Sequence, residues 1–161
     1  QNFDNMPSNV FLIAATNHEH LLDPAIWRRF NYTINIGYPD ANQRSNLIQR
    51  WFKEYLVETT VDIQKITDLT ADRSVAQIKE LIISAAKRFV TTDNPVTMDD
   101  IIELLIQQMT NNSSSAGIVE AATELKAKGV SIRMLAKAIG MPHNTLSYQI
   151  NKITKSKEVN E

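Results

Sequence analysis

From residue 42 to residue 153 the apolar side chains recur three or four positions apart in short blocks, a period that restricts most of the chain to packed helices. Leu47, Ile48, Trp51, Phe52 and Leu56 trace one face over 42–56, with Asp40 placed to cap its start. A shorter helix is predicted over 61–69. The clearest block is 74–90, where Ile78, Leu81, Ile82, Ala85, Ala86 and Phe89 share a face. The acidic turn Thr97-Met98-Asp99-Asp100 opens another helix, continued by Ile101, Ile102, Leu104, Leu105 and Met109. Four helices of this size predict a compact bundle over 41–110. Residues 111–117 (NNSSSAG) have linker composition and mark the best domain boundary. Beyond them 118–128, 131–139 and 144–153 read as three short helices, broken at Lys128-Gly129 and Gly140-Met141-Pro142. Residues 154–161 are expected to fray.

The first forty residues have a different grain. Residues 10–15 (VFLIAA) form a short continuous apolar run, as in a strand covered on both faces of a parallel sheet. Thr16-Asn17 puts polar groups at its C-terminal end, the edge where open α/β sheets bind ligands. Asp23-Pro24 is a natural helix start, and 24–29 is predicted as a short helix. Residues 33–37 (TINIG) alternate and are β-branched, which predicts a second strand, closed by Pro39-Asp40. The expected fold class is therefore mainly α with two strands.

Charge is divided unevenly. Up to Leu125, ten basic residues stand against sixteen acidic ones; from Lys126 onward seven stand against two. No acidic residue occurs between Lys126 and Lys157, so the C-terminal part is suited to a polyanion, or simply presents a solvated basic surface. No run of about 18 apolar residues occurs, so no membrane span is predicted. The chain has no cysteine, which excludes disulfides and thiolate metal sites and accords with a reducing, cytoplasmic setting. His18-Glu19-His20 brings two imidazoles and a carboxylate together without a fourth ligand, and no metal site is predicted there.

The ordered series NVFLIAATN, LDPA, an arginine pair, Phe30, TINIG and PD resembles the second half of the AAA+ ATPase core, in particular its AAA branch. The helices that follow, including SVAQIKELIISAAKR and VTMDD, resemble that family's lid, so the likeness covers residues 1–108. The resemblance implies that residues 1–40 are a remnant of an α/β core whose two strands are not sheet neighbours, and that 41–110 are the lid. It implies that Asn17 is the sensor-1 residue, an uncharged amide able to orient the attacking water near a γ-phosphate. Arg28 and Arg29 match the arginine fingers that act on a neighbouring subunit's nucleotide, where a planar guanidinium suits the equatorial oxygens. The family spaces its two arginines and follows Phe with an acidic residue; here they are adjacent and Asn31 stands there, which favours Arg29 as the principal finger. Leu47 and Trp51 match the adenine side of the lid, and Val75-Ala76 match its Gly-Ala pair, a variant without a sensor-2 arginine. Without the family, Asn17 reads as a turn residue, the arginines as a helix-end pair, and Leu47 and Trp51 as core.

Nothing resembles G-x-x-x-x-G-K-[ST], and no apolar strand ends in Asp-Glu. The resemblance places those parts upstream. It implies ATP and Mg in a longer, ring-forming parent, and no tight nucleotide binding or hydrolysis by these residues alone.

KGVSIRMLAKAIGMPHNTLSYQINKI resembles a helix-turn-helix, and 118–161 is expected to form that domain. Met141, Leu146 and Ile150 would pack the second helix under the first. His143, Asn144, Ser147, Tyr148 and Asn151 then form its outward face, which can read base edges. Arg133, Lys137, Lys152 and Lys155 are placed for phosphates. DNA is one expected partner. The competing reading is a three-helix adaptor that binds protein, in a parent that remodels protein substrates.

Overall fold

A computed structural model describes residues 9–18, 21–110 and 115–158. Residues 111–114 of the predicted linker at 111–117, and the pair Glu19 and His20, lie outside the described residues. Two compact units are present, Gln1–Ile36 and Gly37–Glu161.

In the first unit, α1 (Pro24–Trp27) starts where Asp23 accepts a hydrogen bond from the Ala25 N–H at 2.8 Å, with Pro24 at the position that needs no donor. It is two residues shorter than predicted: Arg28 already caps it, its N–H turned to the Ile26 carbonyl. The two predicted strands are not formed among the described residues. Residues 10–15 and 33–37 acquire no ladder partner, and Phe11, Ile13, Ile34 and Ile36 are exposed, Phe11 at 96%. A strand draws its backbone bonds from a neighbour, and neither segment supplies one to the other. Apolar composition marked these segments for burial but could not provide what buries them.

The second unit is helical: α2 (Ala41–Glu54), α3 (Ile63–Leu69), α4 (Val75–Thr92), α5 (Met98–Thr110), α6 (Ser115–Ala127), α7 (Ile132–Ile139) and α8 (His143–Glu158). Local chemistry sets the starts. Asp40 with Gln43, and Ser74 with Gln77, form reciprocal capping boxes. Asp62 caps α3 and Ser131 caps α7. Ahead of α5, the Thr97 N–H and hydroxyl both donate to the Asp100 carboxylate.

One core runs through all seven helices. Ile48, Ile66, Leu69, Ile78, Leu81, Ile82, Ile101, Ile102 and Leu105 from α2–α5 are continuous with Val119, Ala122, Leu125, Leu135, Leu146 and Ile150 from α6–α8. α5 is the shared wall, packing on α4 on one side and on α6 and α7 on the other. Val119, Ala122 and Leu125 anchor α6, which starts at Ser115, inside the stretch read as linker. The predicted fraying of 154–158 does not occur: α8 continues to Glu158, with Ile153 packed on the core and Thr154 bonded back to the Ile150 carbonyl at 3.0 Å. Among the described residues no helix is long and apolar enough to cross a membrane.

Three helices close with the same pair of backbone bonds. Val57 N–H donates to Phe52 and Leu56 N–H to Lys53 after α2; Val130 to Leu125 and Gly129 to Lys126 after α6; Met141 to Ala136 and Gly140 to Lys137 after α7. This closure needs one left-handed residue. Gly129 (φ 84°) and Gly140 (φ 71°) meet the need without a Cβ, but after α2 the position is held by Leu56 (φ 52°), which is 80% exposed. Leu56, predicted on the apolar face of α2, therefore lies beyond the helix and outside the core. Replacing Leu56 with Gly relieves the left-handed strain, partly offset by a floppier unfolded chain. A net gain of about 0.5–1 kcal/mol is expected, read as a higher urea midpoint at unchanged slope. A lower midpoint would contradict this account of the turn.

Candidate functional site

Asn17 sits in an exposed turn after residues 10–15, where the His18 N–H donates to the Thr16 hydroxyl at 3.0 Å and the Leu21 N–H to the His18 carbonyl at 3.0 Å. Arg28 and Arg29 are exposed at the end of α1, with the Arg29 N–H held by the Ile26 carbonyl at 3.0 Å. All three side chains therefore belong to the first unit and are exposed to solvent. Leu47, Trp51, Val75 and Ala76 belong to the second.

Within the second unit, α2 and α4 pack together. Leu47 is half-buried on α2, and Val75 and Ala76 are exposed in the first turn of α4. Trp51 is only 7% exposed and belongs to the core, which leaves little of its ring for a purine. In the first unit the exposed amide and guanidinium groups are hydrogen-bond donors, and in the second Leu47, Val75 and Ala76 are apolar side chains at least partly open to solvent. A phosphate cradle and Mg-binding carboxylates have no counterpart in the sequence.

Sequence reading did not foresee the burial of two arginines. Arg44 is buried at 7% exposure on α2, one turn before the fully buried Ile48. Its Nε donates to the Thr67 carbonyl at 3.0 Å and its Nη1 to the Pro39 carbonyl at 2.7 Å. It fastens the entry into the unit, and the end of α3, to α2. The helical spacing from Arg44 to Ile48 was the available signal. Arg73, beside the cap of α4, is also buried and faces Glu124 of α6, with Nη2 at 3.9 Å from the carboxylate.

Ion pairs tie the last three helices to the rest. Lys128 Nζ lies 2.6 Å from Asp72 and 2.9 Å from Glu124, and Lys65 Nζ donates to the Gly129 carbonyl at 3.1 Å. Burial alone would raise the Asp72 carboxyl, but bonds from Lys128 and its own backbone, with the charges of Lys128 and Arg73, hold it below its ordinary value. Burial likewise works against the ionised Asp100. The Thr97 donors and the charges of Arg88 and Lys137 outweigh it and lower that carboxyl. Arg88 joins α4 to α5 through Asp100 at 2.9 Å and Glu103 at 2.8 Å.

α7 and α8 are joined by a three-residue break in which Gly140 turns the chain. Leu146 and Ile150 are fully buried against α6 and α7, and the opposite face of α8 exposes His143, Asn144, Tyr148, Asn151, Lys152 and Lys155, with Ser147 half-exposed at its margin. Arg133 is exposed on α7. Lys137, expected among the phosphate contacts, is instead paired with Asp99 of α5. The Lys137 side chain is exposed, and it reaches the acidic start of α5 from the surface.

No protein-family model matches this sequence, and no solved structure matches it. Curated proteins do. A proteasome-activating nucleotidase of Saccharolobus solfataricus is 34% identical over 100 residues, 60% of this chain and 25% of that protein. One from Methanopyrus kandleri is 31% identical over 112 residues, 68% of this chain and 26% of that protein. The ATP-dependent zinc metalloprotease FtsH of Mycoplasmopsis synoviae is 34% identical over 91 residues, 55% of this chain and 14% of that protein. The chain spans about a quarter of the length of the proteasome-activating nucleotidases it matches. By these matches about 60% of the chain is homologous to the AAA+ ATPases and corresponds to a C-terminal part of their ATPase module.

Proposed function

We propose that this chain is the sensor-, finger- and lid-bearing part of an oligomeric AAA+ ATPase that hydrolyses ATP to remodel proteins. The observation that carries the reading is the 34% identity to a proteasome-activating nucleotidase across 60% of the chain. The relatives' names join nucleotide use to protein breakdown, which supports a protein substrate over other cargo. In this reading residues 1–40 are the end of the ATPase core, 41–110 the lid, 111–117 a connector and 118–161 a terminal recognition module.

The bound nucleotide, with its Mg, supplies the phosphoryl group. Asn17 hydrogen-bonds and orients the attacking water without adding negative charge. Arg29, with Arg28 beside it, donates to the equatorial oxygens of a neighbouring subunit's nucleotide. Leu47, Val75 and Ala76 cover the base, with Trp51 supporting Leu47 from the core. Asn17→Ala in the complete ATPase tests this. ADP affinity stays within about twofold while hydrolysis falls by roughly a hundredfold, the usual loss for one preorganised donor. Hydrolysis at the unaltered rate removes Asn17 from the reaction.

A second reading concerns the terminal module. Over residues 143–156 its exposed α8 face carries no carboxylate and turns His143, Asn144, Ser147, Tyr148, Asn151 and Lys152 outward, and Arg133 adds a cation from α7. Such a surface suits nucleic acid, and would recruit the ATPase to DNA or to a nucleoprotein; a protein partner is the alternative.

A further inference from the structure

The loop between α3 and α4 is held from two directions. Its downstream end is the Ser74 cap, followed at once by Val75 and Ala76. Its middle is held by the terminal module: Asp72 takes the Lys128 ammonium at 2.6 Å, and Arg73 faces Glu124. Lys128 also approaches the Leu69 carbonyl, at 3.5 Å, where α3 ends. On the module's side, Glu124 and Lys128 flank the last turn of α6, and the adjoining Gly129 carbonyl accepts from Lys65 of α3. Among the described residues the buried Arg73 Nε has no hydrogen-bond partner, and the guanidinium lies 3.9 Å from the carboxylates of Asp72 and Glu124.

The geometry points to this Asp72–Arg73–Glu124–Lys128 cluster as a joint through which the terminal module sets the position of the lid edge at Val75 and Ala76. The inference rests on the reading of Val75 and Ala76 as nucleotide-facing. α6 cannot shift against α3 without breaking one of the Lys128 bonds, and Asp72 lies three residues from Val75 with only the capped turn between them. Whatever moves α6 therefore moves the start of α4. By linkage, a partner held on α8 alters nucleotide affinity, and nucleotide alters the hold on the partner by the same factor. A tethered module would have no such effect.

Lys128→Met tests the joint, with Lys128→Arg as the conservative control. In the 161-residue chain, Lys128→Met is expected to shift the amide resonances of 71–77 while those of 41–46 stay in place, and Lys128→Arg to leave 71–77 near their original positions. Changes confined to α6 and α7 overturn the proposal. In the complete ATPase, Lys128→Met is expected to change affinity for a fluorescent ADP analogue by about fivefold, the lower end of measured coupling between sites. If that affinity is unchanged while Ala76→Glu weakens it, the joint is refuted and the lid-edge reading survives. If neither variant changes it, Val75 and Ala76 do not face nucleotide and the joint falls with them.

Discussion

Arg29→Ala subunits of the complete ATPase are expected to bind ADP as the unaltered protein does and to hydrolyse ATP roughly 10³-fold or more slowly, the loss seen when a trans guanidinium is removed. Arg29 is exposed at the end of a four-residue helix whose start is fixed by Asp23 and Pro24. The substitution therefore costs no core packing. The trans geometry has a sharper signature than the loss itself. Arg29→Ala and Asn17→Ala subunits are each inactive alone, but where they meet in one orientation a complete site forms: Asn17 from one, Arg29 from the other. A random equal mixture is expected to recover about a quarter of the normal rate, by simple pairing in a cyclic oligomer. No recovery on mixing, with oligomers demonstrably mixed, would mean that both residues of a site come from the same subunit. Arg28→Ala is expected to lower the rate less than Arg29→Ala, since the Phe30 neighbour marks Arg29 as the principal finger.

What the sequence disclosed and what it withheld divide along a physical line. Helices α2 to α5 were legible because capping residues and apolar spacing are local: Asp40, Ser74 and Thr97 stand where the structure uses them, and Ile78, Leu81, Ile82 and Ala85 are buried together as their spacing requires. The strands at 10–15 and 33–37 were not legible, because a strand is a property of pairs and the apolar pattern names only one member. Leu56 was misplaced for a different reason. Its spacing fits the α2 face, but the chain turns left-handed there to satisfy the Lys53 and Phe52 carbonyls. The burial of the two arginines was not legible because a charge looks like surface until its partners are known: backbone carbonyls at Thr67 and Pro39 for Arg44, the carboxylates of Asp72 and Glu124 for Arg73. Likewise the basic C-terminal stretch is one population in sequence and two in space. Lys128 and Lys137 face carboxylates of the preceding helices and hold the module in place, while Arg133, Lys152 and Lys155 face outward.

That partition sets the behaviour expected toward nucleic acid. If Arg133, Lys152 and Lys155 each meet one phosphate, log affinity for mixed duplex DNA should fall with log salt at a slope of about −2.7. The affinity should then drop about fortyfold between 50 and 200 mM salt. Neutralising Arg133 and Lys152 together should reduce the slope to about −0.9 and the salt effect to about fourfold. Lys137→Gln should leave the slope alone, because that ammonium is already engaged by Asp99 and neutralises no phosphate. Asn144→Ala and Tyr148→Ala, whose side chains stand on the exposed face with Tyr148 at 70%, should weaken binding without altering the slope, as contacts to bases or sugars do. Fluorescence anisotropy with the whole chain at two salt concentrations distinguishes these classes. Absence of salt-sensitive binding at 50 mM would assign the α8 face to a protein partner. A slope lowered by Lys137→Gln would mean that the Asp99 pair opens when DNA arrives, and that the module binds as a body partly released from α5.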